Sequence, residues 1–146
     1  MCIDNHSSYC VSNNKQDFVG QLEPMNANIK GVGGSVKVRY KGAVKWQWET
    51  DLRQVTTHFI QDTLFMLTSP DRILSPQHWS QQRAEANDTT AQAITNHTST
   101  KLVWDNGHKT KTVPLNAFTK RRHNVLCISI SIITCRSPRG IRQCKR

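Results

Sequence analysis

The sequence predicts a mainly β fold with one short helix, and three observations carry that expectation. The first is two-residue alternation over residues 36–49. Val36, Val38, Tyr40, Val44, Trp46 and Trp48 share one parity, while Lys37, Arg39, Lys41, Lys45, Gln47 and Glu49 occupy the other. Successive side chains of a strand point to opposite faces, so this pattern describes half-buried strands. The second is turn chemistry at short intervals, at Glu49-Thr50-Asp51-Leu52-Arg53, Ser69-Pro70-Asp71 and Asp105-Asn106-Gly107-His108. The third is a single helix-start signal, Ser75 as N-cap and Pro76 at the first helical position, which places a short helix near 76–86.

Each element follows in order. Gly42 interrupts the alternating run, where a bulge or bend is expected. A return strand carries Val55, Thr57 and Phe59, and a further one lies around Thr63 to Leu67. Residues 1–82 therefore read as one β domain closed by the start of the helix. Residues 83–100 are dominated by Gln, Asn, Thr and Ala and read as a polar linker. In residues 101–118, Leu102-Val103-Trp104 and Lys111-Thr112-Val113 flank an Asn-Gly turn, the signature of a short hairpin. Residues 119–146 read as a basic, poorly ordered tail holding an apolar run of 11 residues, 125–135.

Composition bounds the function. The 146 residues suit one domain with appendages, and their hydrophobic fraction of 36% is low for a globular chain. The net charge of +10 is a property of the tail: residues 1–119 carry a net +2 and residues 120–146 a net +8. No apolar run approaches the ~18 residues of a membrane span. The opening Met1-Cys2-Ile3-Asp4 lacks a basic-then-apolar leader. Five cysteines, at 2, 10, 127, 135 and 144, are an odd number without a secretory signal, so reduced thiols and an intracellular setting, cytoplasmic or nuclear, are expected.

Several short stretches are chemically suggestive. Asp4-Asn5-His6-Ser7-Ser8 follows apolar Ile3 and suits either an exposed catalytic turn or an Asx-turn that caps its own backbone. Gly31, Gly33 and Gly34 sit within four residues ahead of the alternating strand and suit a mobile hairpin over a cleft or a plain loose turn. Cys2, His6 and Cys10 have regular spacing but no fourth ligand, so no metal is expected. His58 and His78 read as structural. Trp46 and Trp48 offer either a base-stacking face or, more commonly, core packing.

The order of these stretches resembles a known family. Cys-Ile-Asp-Asn-His-Ser-Ser, Asn-Ile-Lys-Gly-Val-Gly-Gly, Lys-Gly-Ala-Val-Lys-Trp and Arg-Ile-Leu-Ser-Pro-Gln-His-Trp follow one another as in the protease region of copia-type retrotransposon Gag-Pol polyproteins. The resemblance covers residues 1–82, and residues 101–118 look like the segment leading from protease toward integrase. It implies a small retropepsin-like β-barrel and aspartic endopeptidase activity on a polyprotein peptide, with no cofactor. Asp4 matches the catalytic aspartate, and Asn5, His6 and Ser7 the active-site loop. Gly31, Gly33 and Gly34 match the flap, and Ile73 and Leu74 the apolar pair that buttresses the loop.

One aspartate per chain implies a homodimer, in which two facing carboxylates share one proton. Asn5 stands where the family carries a hydroxyl residue and His6 where it carries glycine, so the resemblance implies a degenerate site. The shift in composition after residue 118 is what an unrelated reading frame produces. A basic tail also fits weak nucleic-acid contact by a non-catalytic β-barrel module, the alternative function.

Overall fold

The computed structural model describes residues 1–31 and 34–114. The strands are β1 (Cys2–Ile3), β2 (Val11–Ser12), β3 (Phe18–Gly31), β4 (Gly34–Glu49), β5 (Val55–Phe65), β6 (Ile73–Leu74), β7 (Gln92–Thr95), β8 (Ser99–Trp104) and β9 (Lys109–Pro114). The helix α1 spans Pro76–Glu85, and a 3₁₀ turn covers Lys15–Asp17. The chain is mainly β, as the alternation and turn signals predict. Among the described residues no helix is long and apolar enough to cross a membrane.

Two sheets form. The larger runs β1-β6-β2-β5-β4-β3, and the smaller β7-β8-β9. The expected closure into a barrel does not occur. β3 bonds only to β4 and the two-residue β1 only to β6, so both edges of the larger sheet end without a closing partner. Residues 83–100, expected as a polar linker, carry regular secondary structure. They hold the end of α1 and all of β7, an edge strand made of Gln92, Ala93, Ile94 and Thr95.

β3 and β4, of 14 and 16 residues, make a long hairpin. At about 3.3 Å per residue each strand reaches on the order of 50 Å, beyond the body of the domain. One face of β4 therefore has mixed burial: Val44, Trp46 and Trp48 are fully buried and Val38 is buried too, whereas Val36 and Tyr40 are exposed. The register shifts between Gly42 and Val44, the bulge expected at that glycine. A Cβ on Gly42 would stand 3.0 Å from the Phe18 ring, so close packing of that ring requires glycine there.

The main core gathers all four tryptophans, Trp46, Trp48, Trp79 and Trp104, with Ile3, Cys10, Ile60, Leu74 and Leu102. It draws from both sheets and from α1, so the smaller sheet shares the core of the larger one. Burial of Trp46 and Trp48 leaves neither ring for stacking on a base. A second cluster of Val11, Val38 and Leu64, joined by Met25, Ile29 and Ile73, packs the inner face of the hairpin against β2 and β5.

The candidate active-site loop and its surroundings

Residues 4–10 leave the core at Ile3 and return at Cys10. β1 runs parallel to β6, with Cys2 opposite Ile73 and Ile3 opposite Leu74. The pairing continues one residue further, because the Asp4 N–H donates to the Leu74 carbonyl at 3.0 Å. Ile3 and Leu74 are both fully buried, so the backbone that presents Asp4 is held by apolar packing beneath it. Leu74 belongs to the main core and Ile73 packs against the second cluster, so this apolar pair ties both cores to the strand that ends in Asp4.

Asp4 itself is half-buried. The His6 N–H donates to its Oδ1 at 2.9 Å, and the Ser7 N–H to its carbonyl at 3.3 Å. An Asx-turn is therefore present, and the same bond that defines it aligns the carboxylate. No ion pair involves Asp4 among the described residues. Asn5 and His6 are exposed. His6 is absent from the left-handed positions, so its backbone accepts a side chain without strain.

The helix N-terminus straps the loop down. Ser75 Oγ accepts the His78 N–H at 3.2 Å, the N-cap bond the sequence predicts, and donates to the Ser7 carbonyl at 2.5 Å. The Cys10 N–H donates to His78 Nδ1 at 3.0 Å, and the Ser75 N–H reaches the Cys10 sulfur at 3.4 Å. Burial pushes the Cys10 thiol up to about 12, a shift the Ser75 backbone bond only partly opposes. Burial likewise holds His78 below the ordinary imidazole value, against the opposing pull of Asp62 and Glu85. Both groups are neutral parts of the scaffold.

The sequence-predicted residues divide as follows. Asp4, Ser7, Ile73 and Leu74 are brought together by the β1–β6 pair and the Ser75 bond. Asn5 turns to the smaller sheet, where its Nδ2 donates to Thr95 Oγ1 at 3.0 Å. Gly31 ends β3 and Gly34 begins β4 at the hairpin tip, with Gly34 at a φ of +118 that favours glycine. Gly33 and the basic tail lie outside the described residues. Cys2 and Cys10 are buried, His6 is exposed, and no group of three or more His, Cys, Asp or Glu suited to a metal ion occurs among the described residues.

Three features escape sequence reasoning. One is an ion pair on a buried carboxylate: Asp17 accepts half-buried Arg72 on both oxygens, Ser12 Oγ at 2.6 Å and Trp46 Nε1 at 3.1 Å. Burial raises the Asp17 carboxyl, and these donors together hold it lower than the ordinary value. Another is the packing of His58 among three tryptophans. The third is a cleft of about 440 Å³ between the Asp4 loop, α1 and β7, touched by Asn5, Gln77, Ser80, Gln92, Ala93 and Thr95. Only the crowding of four Trp into a low-hydrophobic chain signals any of these in advance. Comparison with protein-family models, with curated proteins and with solved structures finds no match for the chain.

Proposed function

We propose that residues 1–82 are a degenerate aspartic endopeptidase domain of retrotransposon type that hydrolyses a polyprotein peptide bond as a homodimer. The observation that carries this reading is the parallel β1–β6 pair ending in Asp4, which sets a half-buried carboxylate on a rigid, apolar-backed loop without an ion-pair partner among the described residues. The long β3–β4 hairpin supports it as the flap element. With two chains apposed, one carboxylate is ionised and the other protonated, since like charges about 3 Å apart do not both ionise. The ionised carboxylate takes a proton from water as the oxygen attacks the scissile carbonyl carbon. The protonated one donates to the carbonyl oxygen. Collapse of the tetrahedral species breaks the C–N bond, and the amine leaves with a proton returned from the dyad.

The degenerate character comes from His6. A Cβ and an imidazole where the family carries glycine crowd the paired carboxylates. Sedimentation of the full chain together with cleavage of a polyprotein-junction peptide at mildly acidic pH tests the proposal. Dimers whose slow cleavage disappears in Asp4→Asn support it. A strictly monomeric chain, or equal cleavage by the variant, overturns it.

The net +8 of residues 120–146 favours a second reading, a non-catalytic β module that binds nucleic acid through its tail. Affinity for single-stranded RNA that falls steeply with salt and vanishes on removing residues 120–146 supports it. Salt-independent binding ends it.

A further inference from the structure

The cleft beside the Asp4 loop has an unusual wall. It is touched by Ala91, Gln92, Ala93 and Thr95, residues of both parities. Neighbouring strand residues point to opposite faces of a sheet, so a cavity that meets both borders the edge of β7. That edge is open, because β7 is the outermost strand of the smaller sheet. The direction of its main-chain groups follows from the turn into β8. The Asn96 N–H donates to the Ser99 carbonyl, which makes 96 and 99 a hydrogen-bonded pair. Bonded and non-bonded pairs alternate in an antiparallel ladder. Thr95 opposite Thr100 and Ala93 opposite Leu102 are therefore non-bonded pairs, whose N–H and C=O groups point away from β8. The close Thr95–Thr100 hydroxyl contact of 3.0 Å is what such a pair produces. No backbone bond from another element reaches residues 93 or 95 among the described residues.

We propose that this cleft binds an extended polypeptide by strand addition to the β7 edge, with Ala93 and Thr95 supplying the main-chain bonds. A row of amide donors and acceptors at strand spacing complements another extended backbone better than it complements any compact ligand. The lining side chains Asn5, Gln77, Ser80 and Thr95 are uncharged, so the site reads the backbone and is tolerant of side-chain charge. α1 lines the cleft through Pro76, Gln77 and Ser80. Asn5 adjoins Asp4, so the bound chain leads toward the proposed catalytic loop and is the substrate polypeptide. Its identity as substrate rests on the peptidase reading, whereas the binding itself does not.

The test uses the full chain carrying Asp4→Asn and a fluorescein-labelled short peptide of alternating Thr and Ala with blocked ends. Anisotropy reads affinity, and amide hydrogen exchange locates the contact. Binding with new protection at Ala93 and Thr95 is expected. Ala93→Pro removes an outward N–H while sparing the bonds to β8 and is expected to weaken binding by about tenfold or more. Ser80→Tyr fills the cleft from α1 without touching β7, and is expected to do the same. No binding, equal binding by both variants, protection elsewhere, or protection of the edge by a second copy in the absence of peptide would each overturn the proposal. Peptide binding without cleavage by the unmodified chain would sink the peptidase reading alone.

Discussion

The rings of His58 and Trp48 lie stacked, with centroids 3.6 Å apart and planes 11° from parallel. Trp104 meets the same imidazole edge-on at 5.2 Å, and Trp79 donates its indole N–H to His58 Nδ1 at 3.2 Å. An Nδ1 that accepts carries no proton, so the imidazole is the neutral tautomer with its proton on Nε2, facing Thr56 Oγ1. β4, β5, α1 and β8 thus meet at one neutral ring.

This ring makes the fold acid-sensitive. Burial, aided by Arg83 and Lys109, lowers His58 from 6.5 to about 3. Between those values the unfolded chain holds a proton that the folded chain rejects. The contribution of His58 is therefore complete above the unfolded value and is lost as pH falls toward the folded one, at about 1.4 kcal/mol per pH unit. Urea unfolding at pH 7 and pH 4 should differ by about 3 kcal/mol. His58→Phe should lose most of that slope while costing about 1–3 kcal/mol at neutral pH, because the Trp79 indole loses its acceptor. An unchanged slope in the variant would count against His58.

Asp17 should be the most costly single carboxylate to remove. Asp17→Ala strips the acceptor from Arg72, Ser12 and Trp46 at once. Removing an acceptor that serves a charged, partly buried partner and two further donors costs about 2–3 kcal/mol, since Arg72 keeps some contact with water. Thermal unfolding of Asp17→Ala and Arg72→Leu measures this. A double variant closer to the parent than either single one is expected, and losses under about 1 kcal/mol would place the pair in effective contact with water.

Cys10 should resist alkylation. A thiol raised to about 12 is ionised at pH 8 to about one part in ten thousand, and the thiolate is the reactive form. Mass-spectrometric mapping after iodoacetamide should find Cys10 unmodified in the native chain and modified in urea. Rapid native modification would show that the loop opens readily.

Ser75 separates helix capping from loop tethering. Ser75→Ala loses the cap, at about 1 kcal/mol, whereas Ser75→Gly loses only a few tenths. Both lose the bond to the Ser7 carbonyl. Melting temperature should rank the two variants, while amide exchange in residues 5–8 should rise equally in both. If exchange there tracks stability instead, the tether has no separate role.

His6→Gly addresses the proposed chemistry. Removing the imidazole should raise peptide cleavage by about tenfold, as the ring and its Cβ no longer crowd the paired carboxylates. Unchanged cleavage would show that His6 does not limit the dyad.

Features controlled by neighbours along the chain can be read from residue order. The alternation of residues 36–49, the bulge at Gly42 and the Ser75 cap are all legible because backbone geometry within a few residues controls them. Contacts between distant segments cannot be read that way. β1 and β6 are two residues each, too short to show any period, and their pairing joins positions 71 residues apart. Asn5 meets Thr95 across 90 residues and Asp17 meets Arg72 across 55. Sheet closure was likewise undecided by pattern, because the same period-2 alternation serves an open sheet and a barrel. What settles such questions is which buried surfaces find each other, and here three tryptophans around one histidine tie the second sheet to the first.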